Sequence, residues 1–104
     1  MAFKINVDYR AYNDIENALD YYFEKSPKAA QDFYKEIQFA YEILDVNPFF
    51  QMRYSDSRCL PLRIFPFIFH FTIMDKDKTV NIHALINTSR NPSKYWLSEK
   101  KRHN

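Results

Sequence analysis

Few side chains in this sequence can do chemistry near neutral pH. His70 and His83 can move protons there, Tyr95 offers a phenol, and Arg63 and Arg90 carry guanidinium groups that stay charged and grip a phosphate in two places. Apolar alternation in the surrounding segments puts His70, His83, Arg63 and Asn87 on one face of a sheet, so they are weighed together. Each has a plainer reading. A histidine on a half-open strand is commonly packed or solvated, and Arg63 can equally close a salt bridge to a helix carboxylate such as Glu36 or Glu42.

Other chemistries are narrowed by what the chain lacks. It has 0 Gly, hence no glycine-rich phosphate loop, and its 1 Cys cannot build a disulfide framework. Cys59 falls inside an apolar strand pattern and reads as a buried, inert thiol. No pair of histidines has zinc-finger spacing, so neither a metal nor another cofactor is expected. Asn87-Thr88-Ser89 spells a glycosylation sequon, which has no bearing on a chain that opens Met-Ala-Phe-Lys-Ile without a secretory pattern. No apolar run is long enough to span a bilayer, and a cytoplasmic location is the default expectation.

The elements that must position these residues follow from periodicity. Residues 58–74 are the most apolar and aromatic stretch, and hold two strands, 58–63 and 67–74. In the second of these Phe67, Phe69, Phe71 and Ile73 alternate with Ile68, His70, Thr72 and Met74, which predicts a central strand with one wholly apolar side and one partly open. Pro61 has no amide hydrogen for a ladder, so the 58–63 strand is placed at a sheet edge. Residues 75–78 make a hairpin into a last strand, 79–87. There Val80, Ile82, Ala84 and Ile86 are expected on the apolar side, and Asn81, His83, Leu85 and Asn87 on the His70 side.

Residues 3–7 alternate and read as a first strand, expected beside the last one. Asp8 then caps a helix whose apolar positions Ala11, Ile15, Ala18, Leu19, Tyr22 and Phe23 recur at spacings of three and four and which ends near Lys25. Ser26-Pro27 restarts a helix with Ala30, Phe33, Ile37, Ala40 and Leu44 in its seam, and Asn47-Pro48 ends it. The sum is an α+β fold of order β-α-α-β-β-β, a helical hairpin on a four-stranded, mostly antiparallel sheet. At 104 residues one domain is expected, over residues 1–97, followed by a basic tail, 98–104.

Charge is divided between the halves. Residues 1–50 carry 5 Lys/Arg against 9 Asp/Glu, giving −4, whereas residues 51–104 carry 10 against 4, giving +6. The basic half is therefore the candidate surface for an anionic partner.

The chain resembles the RelE/ParE superfamily of small bacterial toxins encoded in type II toxin-antitoxin modules, also described as plasmid stabilisation proteins. The resemblance lies in Ala-Leu-Asp-Tyr-Tyr (18 to 22), the Phe33, Ile37, Ala40, Leu44 seam, Asn47-Pro48, Arg58-Cys-Leu-Pro-Leu-Arg-Ile-Phe-Pro-Phe67, and Asn87-Thr-Ser-Arg-Asn-Pro92 followed by Trp96. It implies a growth inhibitor neutralised by a cognate antitoxin, acting in one of two ways. ParE-like members bind DNA gyrase; RelE-like members are ribosome-dependent endoribonucleases that cut mRNA. A third alternative is an inactive toxin that still binds its antitoxin. A homodimer stays open, and no membrane partner is implied.

By the family pattern Arg63 and Arg90 are the positions linked to phosphate contact or activity. Many relatives have His-Thr-Ser-Arg where this chain has Asn87-Thr88-Ser89-Arg90, so a proton-moving side chain is replaced by an amide. His70, His83 and Tyr95 are the side chains that can compensate. The loss of a catalytic candidate at Asn87 tilts the expectation towards ParE-like binding; an enzyme, if this is one, would be an mRNA endoribonuclease.

Overall fold

The computed structural model describes residues 2–49, 52–54 and 57–88. Strand β1 (Lys4–Val7) leads into helix α1 (Tyr9–Lys25) and helix α2 (Pro27–Val46), followed by β2 (Met52–Tyr54), β3 (Ser57–Pro61), β4 (Phe67–Met74) and β5 (Thr79–Asn87). The strands form one sheet in the order β1-β5-β4-β3-β2, with β1 parallel to β5 and the other pairs antiparallel. The helical hairpin and the meander of β3, β4 and β5 are as expected, and the first strand lies beside the last. To these the structure adds the short strand β2, in which Met52 pairs with Arg58 and Tyr54 with Ser57; among the described residues Pro61 has no partner on that side.

Local chemistry sets the element ends. Asp8 is extended at φ −74°, ψ 169°, and its Oδ1 accepts from the Ala11 amide at 3.1 Å, satisfying a donor that the first turn of α1 leaves open. Ser26 serves both helices. Its amide donates to the Tyr22 carbonyl at 3.0 Å while its Oγ accepts from the Ala29 amide at 3.0 Å, so one residue ends α1 and starts α2, with Pro27 placed where no amide is needed. In the β4–β5 turn Lys78 takes the left-handed conformation at φ 52°, a position that a chain with 0 Gly must fill with a side-chain-bearing residue.

The core lies between the helices and one sheet face. Phe33, Ile37 and Leu44 from α2 and Ala11 and Ala18 from α1 meet Leu60, Phe69, Phe71, Val80 and Ile82. Full burial of each large apolar side chain is worth about 1.5–3 kcal/mol. Rings of Tyr22, Phe33, Phe65 and Phe67 cluster with centroids 4.8–6.3 Å apart, pinning the turn between β3 and β4 against the helices.

One irregularity changes which residues share a face. Across β4 and β5, Phe71 pairs with Ile82 but His70 pairs with Ala84, so His83 is the extra residue of a β-bulge. Beyond it the alternation of β5 is shifted. Val80, Ile82 and Leu85 face the core, whereas Ala84 and Ile86 turn to the face away from the helices, opposite the sequence expectation for Ala84, Leu85 and Ile86. A single inserted residue inverts a period-two pattern, and composition carries no mark of it here because all of these side chains are buried on either face.

Candidate functional site

The bulge places His83 at the centre of a hydrogen-bonded line. Its Nδ1 lies 3.0 Å from Asp8 Oδ2, and its Nε2 lies 2.8 Å from Thr72 Oγ1. Three elements converge there. Asp8 sits at the junction of β1 and α1, with one carboxylate oxygen capping the helix and the other on the imidazole. Thr72 comes from the middle of β4, on the face away from the core, with Asn81 as its cross-strand neighbour. Asn81 Oδ1 in turn accepts from Asn6 Nδ2 at 2.8 Å. The His83 and Asp8 side chains are 45% and 39% exposed, so solvent reaches the line from outside. A carboxylate can only accept, hence the neutral ring carries its proton on Nδ1 and turns the Nε2 lone pair towards the threonine hydroxyl.

Arg63 lies elsewhere. It follows the end of β3, and its backbone amide and Nε both donate to Glu36 Oε2 on α2, at 2.5 and 3.3 Å. The guanidinium also stacks 3.9 Å from the Phe39 ring centroid. The salt bridge to Glu36 is thus formed, and it draws Arg63 to the helix side of the sheet. Glu36 is a buried carboxylate, 3% exposed, whereas the Arg63 side chain is 60% exposed. Asn87 pairs with Phe67 and, past the bulge, belongs with the helix-facing residues. The expected single face holding Arg63, Asn87, His70 and His83 therefore does not form: the two histidines point away from the helices and the other two do not.

His70 is 2% exposed, with Nε2 4.0 Å from the Cys59 sulfur. Cys59 on β3 and Ala84 on β5 are its cross-strand neighbours, and both are buried. Among the described residues this face is buried at Cys59, His70, Ala84 and Ile86 and partly accessible at Ile68, Thr72, Asn81 and His83. Arg90, Tyr95, Trp96 and the basic tail 98–104 lie outside the described residues. Among the described residues no group of three His, Cys, Asp or Glu side chains could hold a metal ion, and no helix is long and apolar enough to cross a membrane.

A second carboxylate binds the sheet edge. Beyond Val7 no described strand neighbours β5 on the β1 side, and the Leu85 amide there donates to Asp14 Oδ2 of α1 at 3.0 Å. Burial pushes the Asp14 carboxyl above its ordinary value of 3.8; the Leu85 bond and the charge of Arg10 oppose the shift, and Asp8 adds to it. Sequence reasoning missed Asp14 and Thr72 as site neighbours and read Asp8 only as a cap. The available signal was an aspartate at a strand-helix junction on a strand expected beside β5.

No protein-family profile matches the chain, and no curated protein matches it at a significant level. Solved structures do. The chain is similar to one described as the chromosomal ParDE TA system from P. aeruginosa, with a TM-score of 0.71 at 18% identity, over 85% of this chain and 98% of that one. It is also similar to the toxin-antitoxin complex RelBE2 from Mycobacterium tuberculosis, with a TM-score of 0.57 at 16% identity, over 84% of this chain and 99% of that one. The isolated E. coli RelE toxin gives 0.50 at 13% identity, over 95% and 98%. The chain has the RelE/ParE fold.

Proposed function

We propose that the protein is the toxin of a type II toxin-antitoxin pair, held inactive by a cognate antitoxin, and that it arrests growth by binding DNA gyrase rather than by cutting RNA. The toxin reading is supported by a fold similar over most of its length to chains of the ParDE and RelBE2 systems. The preference for binding rests on one observation. Arg63, the described one of the two arginines that the family resemblance links to phosphate contact, is held against Glu36 on the helix side, while His83, the accessible proton carrier, is bonded to Thr72 on the other face. RNA cleavage by the 2′-hydroxyl needs base, acid and charge stabilisation at one phosphate. Described side chains on opposite faces of a sheet do not supply that.

A ribonuclease remains the second reading, because His83 is oriented by a carboxylate as a general base would be. Inducible expression with and without the neighbouring reading frame tests the toxin role, and the purified chain is then assayed for gyrase supercoiling and for mRNA cleavage on programmed ribosomes. Growth arrest relieved by the neighbour, with supercoiling inhibited and mRNA intact, is the expected result. Cleaved mRNA moves the chain to the ribonuclease class. A stable complex with the neighbour but no arrest identifies an inactive toxin, and neither complex nor arrest rejects the reading.

A further inference from the structure

We infer that Asp8, His83 and Thr72 form an acyl-transfer site in which the Thr72 hydroxyl is the nucleophile and the substrate is a small activated carboxylic ester. The order carboxylate, imidazole, hydroxyl, with separations of 3.0 and 2.8 Å, is the one in which a base takes a proton from the nucleophile while a third group fixes the base. The tautomer is set correctly. Asp8 holds Nδ1–H, so Nε2 is the acceptor facing Thr72.

Placement argues for more than a strand tie. His83 is the extra residue of the bulge in the β4–β5 ladder, and its ring lies on the outer face between Asp8 and Thr72. Asp8 is immobilised by its second bond to the Ala11 amide, so the base is oriented from a helix start rather than from a loop. Asn81, directly across from Thr72, has its carboxamide oxygen engaged by Asn6, which leaves its amino group as the donor for a developing oxyanion. The partial exposure of His83 and Asp8 gives a small ester and water a route to the line.

The step balances without a cofactor. Thr72 Oγ bonds to the acyl carbon as its proton passes to His83 Nε2, and the carbonyl electron pair moves onto oxygen. Collapse breaks the bond to the leaving alkoxide, which takes the proton from His83. Water then adds to the acyl-threonine with its proton going to His83; the bond to Oγ breaks, the acid leaves and Thr72 regains its proton. Neither gyrase binding nor antitoxin binding is needed for this reaction, so the failure of one reading leaves the other standing.

The probe is p-nitrophenyl acetate with the full chain, read by p-nitrophenolate release and by mapping the acetyl group with peptide mass spectrometry. A single acetyl on Thr72 is expected, with release lowered by at least about tenfold in Thr72→Val and His83→Gln and retained in Thr72→Ser. Melting temperature confirms that each variant folds. Release unchanged in Thr72→Val, acetylation only at lysines or histidine, or no release above buffer overturns the inference. If Thr72→Val does not fold, the position of the acetyl group in the unaltered chain decides.

Discussion

Arg63 shows how a residue proposed for function can also be bound into the fold. Its partner Glu36 is buried, so removing the guanidinium leaves a carboxylate with only the residue 63 amide for company. Arg63→Ala should therefore cost about 1–3 kcal/mol, measured as a shift in urea midpoint at constant slope. Adding Glu36→Gln removes the buried charge while keeping an acceptor for the amide, and should recover part of the loss. Growth arrest abolished in the stabilised double variant would place Arg63 in the target contact; arrest restored along with stability would confine it to the fold. Asp14 gives a separate pH signature. Its folded carboxyl titrates above 3.8, so the folded state binds the proton more tightly than the unfolded chain. Stability from this group is thus highest at low pH and is lost as pH rises through the raised value. Asp14→Asn, which can still accept from Leu85, should melt at or above the unaltered chain at pH 7, with the difference shrinking towards pH 4. A variant that melts lower at pH 7 would mean that the charged form is the one the fold prefers.

At the scale of elements, the bulge in β5 decides most of what the sheet presents. Because it turns Leu85 into the core, Leu85→Ala should cost about 2–4 kcal/mol by thermal or urea unfolding, the penalty of a cavity. A cost under about 1 kcal/mol would return Leu85 to the outer face that simple alternation gives it. Helix ends were legible because caps are local: Asp8, Ser26-Pro27 and Asn47-Pro48 each state their role within four residues. Strands β4 and β5 were legible from period two. The register across them was not, since a bulge is a relation between two strands and leaves no residue type behind. The candidate site suffered most. His83 was visible as a proton carrier, but its partners Asp8 and Thr72 are 75 and 11 positions away and are brought to it by pairing. Asn87 was placed with His83 by the alternation that the bulge breaks, whereas Arg63 lies past the end of β3 and is drawn to Glu36.

For the whole molecule, the sheet joins the two ends of the described chain, and that fixes an order of events. Among the described strands β1 pairs with β5 alone, with Lys4 opposite Thr79 and Val7 opposite Ile82. During synthesis the first strand and both helices exist before their sheet does, and the apolar seam of Phe33, Ile37 and Leu44 meets α1 but not its main sheet partners until β4 and β5 arrive. Such separation in sequence slows closure, since a long loop must be ordered before its contacts repay the entropy. A truncated product ending before β5 lacks His83, and so cannot assemble the Asp8–His83–Thr72 line. Translation through β5 is thus a checkpoint: a fragment released before it carries the helical hairpin without the surface that β5 completes and without the Asp8–His83–Thr72 line.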